Sequence, residues 1–108
     1  MALIDDFKIA YRISINNEAI NGQIADLLSE AVDDLTATAN IVITDPEAVS
    51  GKLKGAILLY AGSRWYQVSD PARSASLRAS YDMAKKELLM SSKYSDYTEG
   101  SESDGQSD

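Results

Sequence analysis

Residues 17–39, NEAINGQIADLLSEAVDDLTATA, decide the fold. Ile20, Ile24, Leu27, Leu28, Ala31 and Leu35 recur three and four residues apart. At about 3.6 residues per turn, that spacing gathers them on one side of a helix. Asp26, Glu30, Asp33 and Asp34 decorate the rest, with no base among them. Gly22 weakens the first turn, so the helix is expected to begin nearer Gly22 than Asn17. A one-sided apolar stripe needs other elements to cover it, and the flanking sequence supplies them.

Upstream, Ile4, Phe7 and Tyr11 predict a short helix over about residues 4–12, with Asp5 and Asp6 at the positive end of its dipole. Downstream, Ile41-Val-Ile-Thr44 is β-branched but has no second strand to pair with, so it reads as an extended apolar connector lying on the core. Asp45-Pro46 then gives a helix-start signal. The spacing predicts a third helix over 46–67, burying Val49, Leu53, Ile57, Tyr60 and Ala61. Leu58, Leu59 and Trp65 widen its stripe, as in a helix with two neighbours. Ser69-Asp70-Pro71 repeats the start signal ahead of a fourth helix over 71–90. Its stripe is Leu77, Tyr81, Ala84 and Leu88, and Lys85 and Lys86 suit its negative end. The expectation is an all-α chain: a small four-helix, bundle-like domain over residues 1–90, with a connector between helices 2 and 3.

Residues 91–108 are different in kind: rich in Ser, Asp, Glu and Gly, with Tyr94 and Tyr97 as the bulky side chains. Such a segment cannot offset its ordering entropy alone and is expected to be flexible until it binds something. Tyr94 and Tyr97, flanking Ser95-Asp96, make it read as a docking peptide rather than only a solubilising end.

Composition closes off most chemistry. The chain has no cysteine and no histidine. Disulfides, zinc–thiolate sites, cysteine nucleophiles and imidazole bases are therefore excluded. No EF-hand pattern or phosphate-cradling glycine loop occurs. Asp33 and Asp34 are adjacent, so on a helix they do not share a face as a cation site would require. The expectation is a protein without catalysis, cofactor or metal. The longest apolar run, Ala56–Ala61, is far short of the ~20 residues that span a bilayer. With no basic-then-apolar opening, no secretory signal is expected either.

Charge is segregated. Residues 1–51 hold nine acids and two bases, residues 52–90 three acids and seven bases, and residues 91–108 five acids and one base. The order is acidic, basic, acidic.

The order of features resembles the head–tail connector (adaptor, or head-completion) proteins of long-tailed bacteriophages. The residues that carry the likeness are Ile4-Asp-Asp-Phe-Lys8, Ile24-Ala-Asp-Leu-Leu-Ser-Glu-Ala31, the Asp45-Pro46 start and Ala56-Ile-Leu-Leu-Tyr60. Arg64-Trp-Tyr66, Ser80-Tyr-Asp-Met-Ala-Lys-Lys-Glu-Leu88 and Ser91-Ser-Lys-Tyr94 complete it, so that it spans about residues 3–97. Order, spacing and the Tyr81-Asp82-Met83 segment carry the comparison. The resemblance implies a virion structural protein at the neck, assembled in the host cytoplasm. It implies a homo-oligomeric ring, typically twelve-membered, beneath the portal. Such a ring extends the DNA channel and gives the next connector or tail-completion protein a platform. DNA would pass without sequence-specific binding, and the C-terminal segment would engage the portal, here through Lys93, Tyr94, Asp96 and Tyr97. That segment is more acidic and richer in Ser and Gly than a stable helix would be.

A closed ring needs two unlike, complementary patches per subunit. Asp26, Glu30, Asp33 and Asp34 are candidates to meet Lys52, Lys54, Arg73, Arg78, Lys85 and Lys86 of a neighbour. The same charges also fit a bland reading, as solvated helix faces whose pairs contribute about 0–1 kcal/mol each. Reversing Asp33 and Asp34 is expected to impair ring formation with helix content intact. Arg64 and Tyr66 are candidate partner anchors, whereas Trp65 reads better as a lid on the core. Gly62 inside the third helix marks a close contact, a bend or nothing. The competing function is a small helical regulatory or nucleic-acid-binding protein using the basic 52–90 region. A carboxylate enzyme ranks below both.

Overall fold

The computed structural model describes residues 3–45, 48–49 and 51–90. Four helices follow one another: α1 (Leu3–Tyr11), α2 (Glu18–Ala39), α3 (Gly51–Trp65) and α4 (Pro71–Met90). The described residues contain no strand. The all-α expectation therefore holds, and 41–44 is a connector, with Ile41 fully buried.

Each helix end has a local cause. α1 closes where Arg12 turns left-handed (φ 55°), letting the Ile13 N–H donate to the Lys8 carbonyl at 2.9 Å. α2 starts at Glu18, not near Gly22, because the Asn17 side chain accepts from the Ile20 N–H at 2.8 Å. That cap outweighs the weak propensity of one glycine. α2 ends at Asn40, a residue type that tolerates the left-handed conformation (φ 55°) found there. Thr36 Oγ1 then donates to the Ile41 carbonyl at 3.0 Å, folding the connector back over the helix end.

The third helix departs most from expectation. α3 begins at Gly51, later than residue 46, and Pro46, Glu47 and Ser50 lie outside the described residues. The Asp45 carbonyl accepts from the Ala48 N–H at 3.0 Å, and Gly51 takes a left-handed φ of +63° that L side chains rarely adopt. Val49 is buried ahead of the helix. α3 also ends earlier than residue 67, at Trp65. The α4 start matches the sequence signal: Asp70 Oδ1 accepts from the Arg73 N–H at 3.2 Å and Pro71 takes the first helical position.

α3 is the central element, packed against α1, α2 and α4. Its broad apolar surface follows from those three neighbours. α4 returns antiparallel along α3, with Tyr60 meeting Tyr81 edge-on and Ser74 donating to the Ser63 carbonyl. α2 runs parallel to α4: Asp34 meets Tyr81, and one turn on Thr38 meets Lys85. The core comprises Phe7, Ile24, Leu35, Ile41, Leu53, Ile57, Tyr81 and Leu88 among others. Of the expected α4 stripe, Tyr81 and Leu88 are buried, while Leu77 and Ala84 are half-buried at its margin.

Candidate functional site

The charges expected on the flanks sort into those the chain uses internally and those it leaves outward. Asp34 is the clearest internal one. Its Oδ2 accepts from the Tyr81 hydroxyl and lies 3.4 Å from Lys85 Nζ, which also donates to Thr38 Oγ1 at 3.0 Å. Burial alone would raise the pKa of Asp34. The Tyr81 hydrogen bond and the Lys85 charge outweigh it and hold the carboxyl below its ordinary value. Tyr81 moves the opposite way: burial, then the bond to Asp34 and its negative charge, push the phenol well above the usual range. A phenol so held keeps its proton at neutral pH, and Asp34, Tyr81 and Lys85 form a pin between α2 and α4.

Glu30 pairs with Arg64 at 2.7 Å across α2 and α3, and Lys54 pairs with Asp6 at 3.1 Å across α3 and α1. Arg78 lies over the rings of Tyr60 and Tyr81 and 3.6 Å from Asp82 on its own helix. Arg73 stacks over Tyr66, 4.3 Å from the ring centre, with Tyr11 beyond at 5.9 Å. Glu30, Asp34, Lys54 and Lys85 thus have partners within the chain. Asp26, Asp33, Lys52 and Lys86 are exposed and make no ion pair among the described residues.

Arg64 and Arg78 come together at an open groove of about 310 Å³ between the end of α3 and the start of α4. Gln67 and Ser74 also line it. Trp65 is half-buried with its ring against Phe7, as expected of a core lid. Tyr66 is half-buried too, edge-on to Tyr11 and covered by Arg73, so it is a cluster member rather than a projecting anchor. Lys93, Tyr94, Asp96 and Tyr97 lie outside the described residues.

Gly62 proves to mark a close contact, and α4 carries an apolar face that no sequence expectation covered. Tyr11 inserts against Gly62, and its hydroxyl donates to the Leu58 carbonyl at 2.9 Å. Burial, then the neighbouring Tyr66, raise the pKa of that phenol against the lowering effect of Arg73. The α4 face points outward, and on it Met83 is 67% and Met90 79% exposed. Its signal was present as an apolar recurrence at positions 72, 79, 83 and 90, on the side opposite Tyr81 and Leu88.

No helix among the described residues is long and apolar enough to cross a membrane. No protein-family model matches the chain, and neither the curated proteins nor the solved structures contain a significant match.

Proposed function

We propose that the chain is a structural head–tail connector subunit of a tailed bacteriophage. In this reading, copies form a ring under the portal that extends the DNA channel and presents a platform to the next connector or tail protein. The reading rests on the resemblance of residues 3–97 in order and spacing. What supports it in the structure is that charges of opposite sign face outward from different helices: Asp26 and Asp33 on α2, Lys52 on α3, Lys86 on α4. A subunit with unlike flanks suits a heterologous, closed interface, where charge sets register and partner choice more than affinity. No catalysis is assigned to it. DNA would slide through without base-specific contacts, and residues 91–108 would dock on the portal.

Mass measurement of the purified chain, alone and mixed with portal, tests the reading. A ring-sized increment on the portal is the expected outcome, and portal that gains no mass at any excess of chain rejects it. The nucleic-acid reading draws on the Arg64–Arg78 groove, but Glu30 and Asp82 already pair with those guanidiniums. A mobility shift at ~50 mM salt, where phosphate binding is strongest, separates the two readings.

A further inference from the structure

We propose that the outward face of α4 in one copy packs on the outward face of α2 in a second copy, an interface that rests on the connector reading and gives it a location. On α4, Ala72, Ser76, Ala79, Met83, Lys86 and Met90 share one side, and every one of them is exposed. That side points directly away from Tyr81 and Leu88, and none of the described residues covers it. Two exposed methionines on one helix face form an adaptable apolar surface of the kind used at protein contacts.

The outward side of α2 is its counterpart in shape and charge. Gly22, Ala25, Ser29 and Ala37 are small and exposed, and leave room for protruding methionine side chains. Gly22 has no internal reason to be glycine. Its φ is not left-handed, and a Cβ there would meet nothing within 4 Å. A mid-helix glycine costs about 1 kcal/mol relative to alanine, which a close external approach would offset. Asp26 and Asp33 lie on this side, seven residues or about 10.5 Å apart along the axis. No base occurs anywhere in α2. Lys86 sits between Met83 and Met90 on the facing surface, with Glu87 at its margin. A second copy therefore brings a cation and two apolar knobs to a surface of small residues and unpaired carboxylates. Because the two faces differ, each association leaves one α2 face and one α4 face open. The contact propagates head to tail, as a ring requires, instead of stopping at a dimer.

The chain's lack of cysteine makes this directly testable by disulfide trapping in the full chain. Ser29→Cys and Ala79→Cys are made singly and together, and the concentrated proteins are oxidised with air and a copper catalyst. Either single variant can link no more than two chains. The double variant is expected to give a ladder of trimers and larger species, several-fold more abundant than dimers of either single variant. Adding Met83→Asp should collapse the ladder. A double variant that stops at monomers and dimers overturns the interface, and so does a ladder that Met83→Asp leaves undiminished. Portal attachment without a ladder sinks the interface alone. A ladder from a chain that never joins the portal sinks the connector reading alone.

Discussion

The ring of Tyr11 occupies the volume that a side chain at Gly62 would need. A Cβ at position 62 would fall within the closest approach of Tyr11 Oη and Cζ. The ring cannot swing aside cheaply, because its hydroxyl is bonded to Leu58 and its faces meet Phe7 and Tyr66. Gly62 is thus the slot through which α1 is fastened to α3.

Gly62→Ala and Gly22→Ala should therefore have opposite signs. Both gain about 1 kcal/mol of helix propensity. At Gly62 the overpacking penalty, typically 1–3 kcal/mol, wins, and thermal unfolding should move to lower temperature. At Gly22 nothing obstructs the methyl, and unfolding of the unassembled subunit should move to higher temperature. Matched melts of the two variants decide it.

Acid and alkali should each weaken the α2–α4 pin. Asp34 has its pKa lowered in the fold, so its contribution is full above the ordinary carboxylate value of about 3.9 and is lost as pH falls through the folded value. Tyr81 has its pKa raised, so its contribution is full below about 10 and is lost as pH climbs above that. Denaturant titrations should show Asp34→Asn converging on the parent in acid, and Tyr81→Phe converging on it in strong alkali. Parallel curves across both ranges would contradict the pin.

Asp34 was grouped by sequence with the charges that meet a neighbour. Its place beneath Tyr81 changes the experiment: reversing Asp33 and Asp34 together would damage the fold as well as any ring. Asp26→Lys with Asp33→Lys should instead leave the melting temperature within a few degrees of the parent, because neither carboxylate is in an ion pair among the described residues. Ring formation should be impaired. Melting and native mass on one sample check both halves.

Phe7→Ala should cost about 3–5 kcal/mol. Phe7 is fully buried and contacts Tyr11 and Trp65, so one short helix depends on it. A loss under 1 kcal/mol in denaturant titration would mean that α1 is dispensable to the core.

Much of this fold was legible because its information is local. The α2 stripe, the Asp70-Pro71 start and the Tyr81/Leu88 face follow from spacing and cap chemistry alone. The α3 start was not. Asp-Pro marks a turn as readily as a helix, and no local pattern announces the left-handed Gly51 at which α3 begins. Which charges are spent inside the subunit was hidden for a related reason. Glu30 finds Arg64 thirty-four residues away and Asp34 finds Lys85 fifty-one away, distances that only the packed helices close. The outward apolar face of α4 was readable but masked, since the same helix carries a stronger stripe opposite.

Deleting residues 91–108 should leave thermal unfolding of the remainder unchanged, because a segment so rich in Ser, Asp, Glu and Gly has little apolar surface to bury. Portal attachment should weaken. Equal attachment by the shortened chain would move the docking role elsewhere on the bundle.

The most direct measurement is the native mass of portal mixed with excess full-length chain. The account predicts a single added shell of many copies, lost when Met83→Asp and Asp26→Lys/Asp33→Lys are combined in a chain that still melts cooperatively. Portal that stays bare, or that takes up scattered single copies unaffected by those substitutions, would contradict it.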